Sequence, residues 1–199
     1  MRIIVVGATG TIGTAVADAL AARRHDVVRA SRGAGERVDL GDAASIDALY
    51  RRVGRVDGVV SCAGHARFGR PLAELTDDDL ASSLAGKLVA NVDLVRRGID
   101  HVADRGVFVL TAGIWGRDPV PGACAAAIVN GGLEAFARAA ALDLPRGIRI
   151  VTISPPLLVE TAAAIGGAGV LTAADNARAY VDAVEGIATG QVVHNGDAG

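Results

Sequence analysis

Apolar runs and amphipathic stretches alternate along the whole chain. Runs of strand length lie at residues 3–6, 27–30, 56–61, 107–110, 148–153 and 191–194, and the Val38 region adds a shorter one. Between them, residues 11–24, 43–53, 77–104, 123–142 and 173–187 carry the three-and-four spacing of helices. Segments such as "VFVL" and "IRIVTI" are apolar at nearly every position, which suits parallel strands covered on both sides. This regular alternation, with no linker, repeat or low-complexity tract, predicts one α/β domain over residues 1–199. The expected fold is a doubly wound Rossmann domain, a parallel sheet of about seven strands with helices on both faces.

Composition narrows the picture. Hydrophobic residues make up 51% of the chain but aromatics only 3%, so the core must be built from Ala, Val, Leu and Ile. The net charge of −2 gives no basic excess, so neither nucleic acid nor a membrane surface is an expected partner. The first apolar run is four residues long, too short for a signal peptide or a membrane span, and the expected location is the cytoplasm. Cys62 and Cys124 and the four histidines fall in no metal-ligand spacing, so no metal is expected.

The first turn carries the clearest chemistry. "VVGATGTIG" places Gly7, Gly10 and Gly13 between the first strand and the first helix. Glycines there permit a tight turn and let backbone approach a pyrophosphate, while the helix start supplies free N–H groups and a positive dipole end. Thr9, Thr11 and Ile12 offer further N–H donors. An NAD site usually ends its second strand with an acid, about 20 residues on, that holds the ribose 2′-hydroxyl. Here that strand ends in "RASRG", with Ser31 and Arg32 and no acid. A guanidinium pairs with a 2′-phosphate that a carboxylate would repel, so the expected cofactor is NADP. Arg29 is a second basic candidate.

With these motifs in view, the chain resembles the short-chain dehydrogenase/reductase superfamily over essentially its whole length. "GATGTIG" is similar to the superfamily's glycine motif, and "VDLGD" to the segment whose aspartate meets adenine, which implies Asp39 with Leu40 beside it. "SCAG" stands where N-N-A-G is usual and implies a cofactor contact at Cys62, Ala63 and Gly64. "NVDLVRRG" implies Asn91 as the asparagine that supports a proton relay. "ISPPLLVET" resembles the loop covering the nicotinamide and implies Pro155 and Leu157 there. The resemblance also implies a reductase of a small organic substrate and a homodimer or homotetramer through the helices that start near residues 77 and 123.

The superfamily's Y-x-x-x-K motif is missing. Matching "NGGLEAF" to the end of its helix puts Ala126 at the tyrosine and Asn130 at the lysine, and the usual serine falls near Thr111 or Ala112. A site without the phenol suits an imine or an activated alkene better than a simple ketone, because a protonated imine already carries charge and solvent can protonate an enolate. Four residues are candidates for the chemistry. Thr111 is the best-placed hydroxyl. Asn130 can still hold the nicotinamide ribose, because an amide both donates and accepts. Lys87, the only lysine in the chain, lies about one helical turn before Asn91, on the same face. His65 and the loop residues Trp115, Arg117 and Asp118 are possible pocket-liners. Two other readings of the same scaffold are a lyase or isomerase with a structural nucleotide, and an NADP(H)-sensing binding protein.

Overall fold

Strand β1 (Arg2–Val6) shows how the layers form. Ile3 and Val5 point to one face and Ile4 and Val6 to the other, and all four are buried. Seven parallel strands follow the order β3-β2-β1-β4-β5-β6-β7. They are β1, β2 (Asp26–Ser31), β3 (Glu36–Arg37), β4 (Val56–Ser61), β5 (Val102–Thr111), β6 (Arg149–Ser154) and β7 (Gln191–His194). On one face pack α1 (Thr11–Ala22) and α7 (Ala173–Glu185), whose Val16, Leu20, Tyr180 and Val184 meet Ile3, Val5, Val107, Val109 and Ile153. On the other lie α2 (Ala43–Val53), α4 (Ala90–Gly98) and α5 (Cys124–Asp143), whose Leu49, Leu94 and Leu133 meet Ile4, Val6, Phe108 and Leu110. The chain runs outward from β1 in one direction and from β4 in the other. The crevice at their carboxyl ends is the point where such sheets bind ligands. The computed structural model describes residues 1–165 and 168–196.

Three elements differ from the pattern-based reading. The long helix expected over residues 77–104 is divided: α3 (Asp77–Ser83) runs into a π turn (Leu84–Val89), then α4, then a 3₁₀ turn (Ile99–His101). Strand β5 begins at Val102, earlier than its apolar run, because Asp104 and Arg105 lie exposed in an irregularity between the paired Val102 and Val107 and show no apolar signal. A short α6 (Val159–Ile165) follows the β6 loop.

Candidate active site

Helix α1 begins at Gly10 with no side-chain cap and no acid in its first turn. The Thr14 amide is the first to bond back, to the Gly10 carbonyl, so the amides of Thr11, Ile12 and Gly13 have no helical partner. A methyl group on Gly13 would overlap the Gly7 carbonyl, which explains why this turn closes only on glycine. Three unpaired donors on a positive helix end form an anion site.

A cleft of about 580 Å³ continues from this turn along the strand ends. It brings together Gly7, Thr9, Gly10, Ser31, Arg32, Asp39, Leu40, Cys62, Ala63 and Gly64, and adds His65 and Gly86. Thr11 lines a neighbouring groove beside α1, and Ile12 and Gly13 line neither. Ser31 is a correction in part. Its hydroxyl donates to the Ala34 carbonyl (2.7 Å) and accepts from the Ala34 amide (2.9 Å), so it shapes the turn that presents Arg32. Arg32 is exposed and has no ion-pair partner among the described residues, whereas Arg29 is paired with Asp18 at 2.5 Å. Asp39 accepts from the Gly41 amide with one carboxylate oxygen. Pro155 and Leu157 lie outside the cleft's lining. The Pro155 carbonyl accepts from the Ile114 amide (3.0 Å) and the Leu157 carbonyl from the Val170 amide (2.9 Å), which ties the β6 loop to its neighbours.

The chemistry end is built differently from expectation. Thr111 has the wrong facing. It continues the row of Val107 and Val109, and its hydroxyl donates to the Ser61 carbonyl (2.6 Å) and pairs with the Tyr180 hydroxyl (2.8 Å) under α7. Burial pushes the Tyr180 phenol well up and the enclosed Cys62 thiol up to about 12, so this knot holds no ready proton or nucleophile. The alternation along β5 already carried that signal.

On the opposite face, the π turn projects Lys87 inward. Its ammonium donates to the Asn130 side-chain oxygen (2.7 Å) and to the Ala112 carbonyl (2.9 Å). Lys87 is half-buried, and burial of its ammonium brings its pKa down to about 8. Gly64 lies against the stem, where a side chain would meet Lys87 Cγ at 2.8 Å. The Asn91 amide donates to the carbonyls of Lys87 (2.7 Å) and Ala63 (3.3 Å), so it fixes the π turn to the β4 loop. Such turns are frequent at functional sites because they redirect one side chain without ending the helix. Ala126, one turn before Asn130, is buried and adds no polar group. Above this pair, Phe68 stacks on Trp115 with ring centres 4.1 Å apart and planes within 3°. The Gly69 amide donates to the Gly122 carbonyl (3.1 Å) and joins the same two loops.

The sequence profile of the family described as Enoyl-(Acyl carrier protein) reductase matches residues 12–189. The chain belongs to the short-chain dehydrogenase/reductase superfamily. Among solved structures of this superfamily fold, the protein lin1944 from Listeria innocua is 40% identical over 97% of this chain and 98% of its own, with a TM-score of 0.92. A small-chain dehydrogenase is 28% identical over 97% of this chain and 94% of its own, with a TM-score of 0.84. Another, solved in complex with NADPH, is 25% identical over 97% and 95%, with a TM-score of 0.85. A search of curated proteins gives no significant match. This short-chain dehydrogenase has no helix, among the described residues, long and apolar enough to cross a membrane.

Proposed function

We propose that this short-chain dehydrogenase is an NADP(H)-dependent oxidoreductase of a small organic substrate bearing a carbonyl, imine or activated alkene. The observation that carries the reading is Arg32, an exposed guanidinium without an ion-pair partner among the described residues, at the rim of a cleft that begins on a glycine turn with free amides. The residues fit the cofactor. The amides of the α1 turn would hold the pyrophosphate, Arg32 the 2′-phosphate, Asp39 the adenine edge, and Gly64 would let the ribose lie flat on the β4 loop. When bound, the reduced nicotinamide supplies a hydride. Lys87 and Asn130 then stand at the reacting end, with Asn91 positioning the turn that carries Lys87. The NADPH complex of the 25%-identical small-chain dehydrogenase supports the same cofactor. Val89 and Ile128 are exposed apolar residues beside α4 and on α5, and they support a homodimer or homotetramer through this face.

Calorimetry tests the cofactor. NADPH is expected to bind tighter than NADH by roughly tenfold or more. Equal affinities would overturn the NADP assignment. Substrate-dependent NADPH oxidation across carbonyls, imines and enones tests the reaction, and tight binding with no turnover on any of them would favour a sensor.

A further inference from the structure

We infer that the side-chain N–H of Asn130 is the hydrogen-bond donor to the reacting substrate oxygen, with its orientation set by Lys87. The inference rests on the reading that the cleft holds NADP(H). An asparagine side chain is ambiguous about which end faces where, but its neighbour removes the ambiguity. An ammonium can only donate, so the atom 2.7 Å from Lys87 must be the oxygen, and the nitrogen faces the other way. On that other side lies Gly113, where a side-chain carbon would stand 3.0 Å from the nitrogen. The glycine puts no side chain against the nitrogen, and Ala126 one turn earlier adds no polar group. Asn130 is only 3% exposed, yet its nitrogen donates to no acceptor among the described residues. A nearly buried donor without a protein acceptor awaits one from a ligand.

The chemistry that suits this donor follows from what an amide can do. It stabilises negative charge but does not release its proton, so it favours a substrate whose oxyanion is delocalised. In a conjugated enone the β-carbon takes the hydride, and the alkene π pair shifts to form the enolate. Charge gathers on the oxygen facing Asn130. The α-carbon then takes a proton from solvent water, and the nicotinamide is left oxidised. Lys87, through the amide oxygen, holds the donor in place and polarises it.

The test uses the anion of cyclohexane-1,3-dione, an enolate in water at neutral pH, titrated calorimetrically into the protein loaded with NADP⁺. Wild type is expected to bind it. Asn130→Leu removes the donor at similar size, and Asn130→Asp keeps an acceptor for Lys87 while removing the donor. Each is expected to weaken dione binding by about tenfold or more, with NADP⁺ affinity held within about twofold as the check on folding. Turnover of 2-cyclohexen-1-one should fall ~10²–10³-fold in both. The inference is overturned if the wild-type complex ignores the dione, or if Asn130→Leu binds it as wild type does. It is also overturned if NADP⁺ affinity falls in step with the dione, which would place the amide on the cofactor ribose. Absence of NADP⁺ binding by wild type would remove the cofactor reading itself, and this inference with it.

Discussion

Two polar clusters lie under the same strand ends, on opposite faces of the sheet. Under α7, Thr111 and Tyr180 close on each other and on the Ser61 carbonyl. Toward α5, Lys87 and Asn130 close on each other and on the Ala112 carbonyl, but Asn130 keeps a donor in reserve. Both are buried and both are hydrogen-bonded. The difference is in hydrogen-bonding capacity at two groups: the Thr111 hydroxyl spends its own on Ser61 and Tyr180, and the Asn130 nitrogen has no acceptor among the described residues. A cluster that spends all of it on the protein fixes the fold, and a cluster that leaves some is where a ligand completes the count. Substitutions in the two clusters should therefore fail in opposite ways.

The largest expected effect is on the open side. Lys87→Met should lower NADPH-linked turnover ~10²–10³-fold, as deletion of one charge-stabilising partner does. Its effect on folding stability in denaturant should be small, because removal of a desolvated cation offsets the loss of the donor to the Asn130 oxygen and the Ala112 carbonyl. Steady-state kinetics beside urea unfolding reads both, and a stability loss with turnover intact would make this cluster structural. Next, Arg32→Asp should shift cofactor preference away from NADPH by about 1.5–3 kcal/mol, measured as the ratio of NADPH to NADH affinity. An unchanged ratio would take the guanidinium off the phosphate.

The closed side should answer in stability. Thr111→Val removes the hydroxyl that bonds the Ser61 carbonyl and the Tyr180 hydroxyl and should cost about 1–3 kcal/mol of unfolding free energy. Turnover per folded molecule should stay within about twofold, and a large kinetic defect would erase the distinction between the two faces. The last effect is a pH dependence. An unfolded lysine holds its proton up to about 10.4, whereas folded Lys87 releases it at about 8. Between these values the unfolded chain binds more protons, so stability should rise with pH across that window and lose this rise in Lys87→Met. Because Lys87 is the only lysine, ¹⁵N-lysine NMR should give one side-chain resonance titrating near 8.

Most of the fold was legible because strand and helix periods are written in the apolar residues. Helix α2 and strand β7 match the pattern residue for residue, at Ala43–Val53 and Gln191–His194. Segments without an apolar signature escaped, such as the exposed start of β5 at Asp104 and Arg105. The phosphate turn was legible for a similar reason, since glycine spacing reports backbone geometry directly. The chemistry end was not. Thr111 looked available because it ends a strand, although counting by twos from Val107 and Val109 puts it on the α7 side. Lys87 and Asn130 lie 43 residues apart, and the π turn that joins them leaves no mark in composition or period. Their meeting depends on tertiary structure.

The stacked pair above the site has a separate consequence. Trp115 is the only tryptophan in the chain, and it lies flat on Phe68 where the two loops over the cleft are joined. All indole emission from this protein therefore reports from one place, next to the loop that packs on Asn130. Reduced nicotinamide absorbs where indole emits, so its arrival should quench that light, and parting of the two loops should shift its colour. The chain carries its own optical gauge, and events at the cleft can be timed in the unlabelled protein.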